Sequence, residues 1–199
     1  GGLEVTLNTY SDGSKKGDYS MARGTYGWLV PVPTACEEGG DPKRWRCVAG
    51  GGVVDGDPND ICSLRAELMG VLAMVMILVE KGWEYPVEHR LDNEGVTHDG
   101  WSTWLEEHGE EGNWTAPELQ VAVKHADVWE TLQWWRRQLK GKLTLVWTRG
   151  HPEEREENPA AWGRHDTANW IVDKVAEHQY NRTCVEVDTG MRRPEWWLK

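Results

Sequence analysis

The sequence predicts an α/β fold, a mixed five-stranded sheet flanked by helices, on three observations. Alternation with period two recurs in short segments, and one apolar run, residues 68–79, is too long for an ordinary strand. The later strand segments are separated by helical patterns, as parallel crossovers require. With 199 residues, 39% hydrophobic and 28% charged, the chain has the composition of one folded domain rather than of a disordered segment. The apolar run falls short of the ~20 residues that span a bilayer, so no membrane helix and no membrane partner are expected.

The elements follow in order. Val5, Leu7 and Thr9 alternate with Glu4, Thr6 and Asn8 over a strand at residues 4–10, and Asp12-Gly13-Ser14 reads as the turn after it. A second strand at 24–32 is closed by Pro31 and Pro33, and a third at 45–54 follows an acidic, Gly-containing loop at 37–41. Short connections make these three an antiparallel meander. After a turn at 57–60, Ser63 is the expected N-cap of a helix running through Lys81, with Glu67 in its early turns. Because that helix is apolar nearly all round, it must be covered on most sides.

A short strand at 87–91 leads to a helix at 93–107 carrying Val96, Trp101, Trp104 and Leu105, then to a polar break at 108–113. A helix at 126–139, capped by Asp127, precedes a strand at 142–148 in which Leu143, Leu145 and Trp147 alternate. A long loop at 150–163 ends in a helix at 165–179, where Ala168, Ile171, Val172, Val175 and Ala176 keep helical spacing. The order is β-β-β-α-β-α-(α)-α-β-α. Residues 1–180 are expected to form the domain, and 181–199, with Arg192, Arg193, Trp196 and Trp197, a tail or linker. The absence of an initiator Met reads as a domain cut from a longer chain, or as a chain trimmed at its start.

Charge narrows the chemistry. The 22 basic residues face 33 acidic ones, a net of −11, which excludes attachment to nucleic acid by broad positive charge. Such a partner would be held by local basic groups and metal ions. Cys36, Cys47, Cys62 and Cys184 form no C-x-x-C pair, so reduced thiols of an intracellular protein, cytoplasmic or nuclear, are expected. The 14 Trp and no Phe imply that Trp fills aromatic core positions, with a few left to stack on bases.

Four acids fall at the ends of elements: Asp12 after the first strand, Asp92 after the fourth, Glu67 early in the apolar helix and Asp173 in the last helix. Singly each has a structural role open to it: turn residue, N-cap, first-turn acid, solvated helix face. Together they point to chemistry. Parallel first and fourth strands would bring Asp12 and Asp92 to one edge, where open sheets bind ligands. Crowded carboxylates suit hard divalent ions, and two such ions can clamp the attacking and leaving oxygens of a phosphodiester.

Thr9-Tyr10-Ser11-Asp12-Gly13-Ser14, Ser63-Leu64-Arg65-Ala66-Glu67-Leu68, Leu91-Asp92-Asn93, Arg149-Gly150-His151 and Asn169-x-x-x-Asp173-x-x-Ala176 resemble, in order and spacing, the motifs of the ribonuclease H family over residues 5–179. Residues 123–129 are similar to a segment of its type 1 enzymes, and the loop at 54–58 to ribonuclease H domains of retroelement polyproteins. The resemblance implies a ribonuclease H-like fold and cleavage of the RNA strand of RNA–DNA hybrids with two Mg²⁺, or Mn²⁺, leaving 3′-hydroxyl and 5′-phosphate ends. It implies Asp12, Glu67, Asp92 and Asp173 as metal ligands and His151 as the histidine of a mobile loop, with His165 beside Asp166 a rival. Gly13, Ser14, Ser63, Arg65 and Asn93 become candidates for the hybrid's minor groove, although Arg65 could instead pair with a nearby acid. A monomer, with a neighbouring polymerase domain in the parent polyprotein, completes the expectation.

The chain departs from the family in three places. Residues 106–114 are acidic where relatives carry a basic, Trp-bearing handle, and Glu94 stands where a Gln is frequent. The loop between His151 and Asp173 is long, leaving Trp162 and Arg164 to replace some contacts. Two other readings are a non-catalytic module that holds nucleic acid or protein, and a DNA-directed nuclease such as a transposase or resolvase core. Asp12-Gly13-Ser14 and Arg65-Ala66-Glu67 favour ribonuclease H over the latter.

Overall fold

The computed structural model describes residues 5–31, 47–97, 115–116, 121–122 and 125–186. Strands β1 (Leu7–Lys16), β2 (Arg23–Pro31) and β3 (Cys47–Val53) form the antiparallel meander. Beyond β1 the sheet continues with β4 (Val87–Leu91) and β7 (Leu143–Trp147), both parallel, in the order β3-β2-β1-β4-β7. The mixed five-stranded sheet is therefore as the sequence predicts. A two-residue antiparallel pair, β5 (Thr115–Ala116) with β6 (Val121–Ala122), lies where the element order allowed an extra helix.

Alternation along β1 divides the core in two. Leu7 points into a cluster with Leu68, Leu72 and Val75 of helix α1 (Ser63–Glu80) and Val128, Trp129 and Leu132 of helix α3 (Ala126–Gln138). Tyr10, an odd number of residues on, faces the other way, onto Ala168 and Val172 of helix α4 (Arg164–Glu186). Between sheet and α3, α1 buries eleven residues, which is why it is apolar nearly all round. On the opposite face α4 approaches β2 closely: a Cβ on Gly27 would lie 2.8 Å from Val172 O, and Thr25 Oγ1 donates to Ala176 O at 2.8 Å. Helix α2 (Glu94–Thr97) follows β4.

Several local expectations change. Asp12-Gly13-Ser14 is not a turn: β1 runs on to Lys16 because residues 10–16 pair with residues 29–23 of β2, and the reversal comes at Gly17, whose φ is +72°. Ser63 is the first helical residue rather than the N-cap, since the chain stays extended through Cys62. His125, in a left-handed conformation, caps α3, and Asp127 is spent elsewhere. The last helix continues to Glu186, past the expected end at Gln179. Most of the expected helix at 93–107, the break at 108–113 and the acidic stretch at 106–114 lie outside the described residues. Among the described residues, no helix is long and apolar enough to cross a membrane, and Cys47 and Cys62 are not joined in a disulfide, Cys62 Sγ lying 3.1 Å from His125 Nε2.

One polar group is sealed between β1 and β4. His89 is fully buried, its Nδ1 2.8 Å from Thr9 Oγ1 and its Nε2 2.7 Å from Ser11 Oγ. Burial, and then the charge of Arg90, pull its pKa down to about 3. A group depressed in the folded state contributes stability that is complete above its unfolded value near 6.5 and lost as pH falls towards 3. The His89 ring nitrogens should therefore keep the NMR shifts of neutral imidazole from pH 8 to about 5, while exposed histidines titrate; a His89 transition near 6.5 would contradict the burial argument.

Candidate active site

The β1–β4 ladder sets the centre of the site. Their parallel register ends at Tyr10 opposite Arg90. Extending it two residues places Asp12 level with Asp92, just past the end of β4, where the ladder has stopped. Into this gap α1 sends Glu67. One oxygen from each of Asp12, Glu67 and Asp92 lies within 4.8 Å of the others. Gly13 makes the approach possible, since a Cβ there would sit 2.5 Å from Glu67 N; its own N–H donates to Glu67 Oε1 at 3.0 Å. Glu67 Oε2 is buried without a hydrogen-bond donor.

The electrostatics follow from the crowding. Asp12 is 5% exposed, and burial, then the charges of Asp92 and Asp173, push its pKa up to about 8. Glu67 is driven well above the carboxylate range by burial and by Asp12 and Asp92. Burial also raises Asp92, opposed by contact with Glu67 and by His151. An orphaned buried oxygen in an all-oxygen donor set fits a hard divalent cation such as Mg²⁺. Asp173 lies outside the trio yet is near enough to act on Asp12 and Asp92; its Oδ2 accepts from Lys174 Nζ at 3.0 Å.

The histidines separate cleanly. His151, exposed and at φ +51°, follows β7 and acts on Asp92. Burial lowers its pKa, but Glu153, 3.5 Å from its Nδ1, with Asp173 and Glu154, outweighs this and holds it above the usual value. His165 instead places Nδ1 2.8 Å from Tyr10 OH, and burial with Arg90 and Arg164 lowers it. Of the two, His151 is the one whose charge acts on Asp92.

Arg65 takes the structural alternative. It is buried, its Nη1 and Nη2 donate to Asp127 at 2.9 and 2.6 Å, and its Nε donates to Asp55 O at 2.7 Å. This bidentate pair ties the start of α1 to α3 and holds Asp127 below its normal range. Ser63 is exposed one helical turn before Glu67, and Ser14 and Asn93 are half-buried two and one residues beyond Asp12 and Asp92. Two contributors escaped the sequence reading. A Cβ on Gly150 would collide with Asp92 Oδ2, and Trp147 Nε1 donates to Asp92 O at 3.2 Å. Gly150 stood within a motif already noted, whereas nothing in the spacing marks Trp147.

A carboxyl raised in the folded state contributes stability present below its unfolded value near 3.8 and lost as pH rises through about 8. In chelator, thermal stability should thus fall between about pH 5 and 8, and Asp12→Asn should melt higher than wild type at pH 8. A lower melting temperature for that variant would refute the crowding. Removing Arg65 should act oppositely: Arg65→Ala should cost about 2–4 kcal/mol in denaturant unfolding, since it leaves Asp127 without its buried partner.

No family model matches the chain, and no curated protein matches it by sequence. Solved structures do match. The solution structure of the prototype foamy virus RNase H domain superposes with a TM-score of 0.62 at 15% identity, over 87% of this chain and 93% of that one. RNase H1 from the halophilic archaeon Halobacterium salinarum NRC-1 gives 0.52 at 14%, over 89% and 99%. The foamy viral protease-reverse transcriptase in complex with RNA/DNA hybrid gives 0.60 at 13%, over 88% of this chain and 20% of that one. Sheet order, the helices on both faces and these superpositions agree that this chain has the ribonuclease H fold.

Proposed function

We propose that this chain is a divalent-metal-dependent endoribonuclease that cuts the RNA strand of RNA–DNA hybrids, leaving 3′-hydroxyl and 5′-phosphate ends. The observation that carries the reading is the buried trio of Asp12, Glu67 and Asp92 with an orphaned Glu67 oxygen. These three, with Asp173, are the residues that would hold two Mg²⁺ or Mn²⁺. When bound, such ions supply Lewis acidity and neutralise the charge that develops on a phosphodiester during hydrolysis.

The chain's own groups do the rest. Gly13 N–H fixes Glu67 Oε1, and Gly150 leaves room for the Asp92 carboxylate, so the acids are held before substrate arrives. His151, with a pKa raised above the ordinary histidine value, can hold a proton on its imidazole near neutrality and pass it to the departing 3′-oxygen. Ser14, Ser63 and Asn93, within four residues of Asp12, Glu67 and Asp92 in the chain, offer small polar groups suited to the 2′-hydroxyls that distinguish RNA from DNA. Arg65 is left out of this set because Asp127 engages it. The foamy virus neighbours, one bound to hybrid, support the substrate class and a polymerase neighbour in a retroelement polyprotein.

Labelled hybrid, double-stranded RNA and double-stranded DNA, each incubated with Mg²⁺, test the reading. Only hybrid RNA should be cut, Asp12→Asn should reduce cutting to background, and His151→Ala should slow it roughly 100-fold. Binding without cutting would indicate a non-catalytic module, and cutting of DNA a different nuclease of the same fold.

A further inference from the structure

We propose that Lys174 is a positioning residue that holds Asp173 outside the Asp12–Glu67–Asp92 trio, so that divalent ions must compete with its ammonium for the fourth carboxylate. The inference rests on the reading of the trio as a metal site and adds a control on how that site fills. Three of the four acids already converge within 4.8 Å, whereas Asp173 does not. Its Oδ2 is engaged by Lys174 Nζ at 3.0 Å.

The ammonium is itself anchored on the outer side of α4. It lies 3.2 Å from Glu177 Oε2 and 5.8 Å from the centroid of the Trp170 ring. Glu177 and Trp170 are three residues after and four before Lys174, the spacings that place side chains on one helix face. Asp173, one residue back, sits about 100° around the helix from Lys174. An ammonium held by Trp170 and Glu177 therefore draws the Asp173 carboxylate towards the outer face and away from the trio. The position is also partly exposed, with side-chain accessibilities of 43% for Lys174 and 19% for Asp173, so the pair can open without unfolding. With a divalent ion held by the inner acids, Asp173 would leave Lys174 for a stronger partner, and the lysine would keep Trp170 and Glu177.

Calorimetric titration with Mn²⁺ of wild type, Lys174→Met, Asp173→Asn and the double variant tests this, with a thermal melt confirming that each is folded. An exposed ion pair is worth little, so Lys174→Met should tighten Mn²⁺ binding by only about two- to fivefold. In the Asp173→Asn background the same substitution should change nothing, because the lysine acts through that carboxylate. Unchanged or weaker binding by Lys174→Met overturns the proposal. So does an equal gain in the Asp173→Asn background, which would reflect mere removal of a positive charge. If wild type takes up no Mn²⁺ at all, it is the metal-site reading that fails; uptake by wild type with no gain in Lys174→Met removes the latch alone.

Discussion

Mutual repulsion of three buried carboxylates is the constraint on which the rest of the site depends. At 4.8 Å and an effective dielectric of about 20, each ionised pair repels by on the order of 3 kcal/mol. Three such pairs approach the whole stability of an ordinary domain, ~5–15 kcal/mol. The trio cannot stay fully ionised without a compensating charge, so it either keeps protons, as the raised pKa values of Asp12 and Glu67 express, or takes cations. Everything else that holds the acids in place works against this repulsion.

The chain treats acidic groups in two opposite ways around the start of α1. At Asp127 it supplies a buried guanidinium, and the acid is depressed and structural. At Glu67, two residues along α1 from that guanidinium, it supplies a single backbone N–H and leaves the second oxygen without a donor. Neutralising the inner acids with a side-chain cation would have stabilised the fold more simply. That no buried guanidinium meets Asp12 or Glu67 as Arg65 meets Asp127, while backbone at Gly13 and Gly150 is cleared to let the acids approach, makes the cluster a candidate functional site.

Much of this was legible in the sequence, because the signals are either periodic or local. Residues 87–91 alternate cleanly and the strand falls where the alternation does, and the apolar run of α1 marks a covered helix. The convergence of Asp12, Glu67 and Asp92 was legible because their motifs lie at element ends, whereas Asp173, inside α4, stands apart from that group. What was hidden depends on partners distant in the chain. Asp12-Gly13-Ser14 has turn chemistry, yet β2 extends the pairing through it, and a local signal cannot report a cross-strand partner. Arg65 had two roles open until Asp127, 62 residues on, was placed beside it. The indole of Trp147 on the Asp92 carbonyl is a contact across the sheet that composition cannot encode.

Net charge ties site to substrate. A chain at −11, with an acidic stretch at 106–114, would meet a polyanionic hybrid with unfavourable long-range electrostatics. Under the proposed function, the cations that relieve repulsion inside the trio also relieve repulsion between trio and phosphate. Metal and hybrid then bind with positive coupling, and by reciprocity hybrid tightens metal as much as metal tightens hybrid. A basic handle would have made affinity largely independent of metal. With residues 106–114 acidic instead, the charge that would permit catalysis under that proposal is also the charge that would permit binding, and a side chain that competes for one of the proposed ligands would act on both.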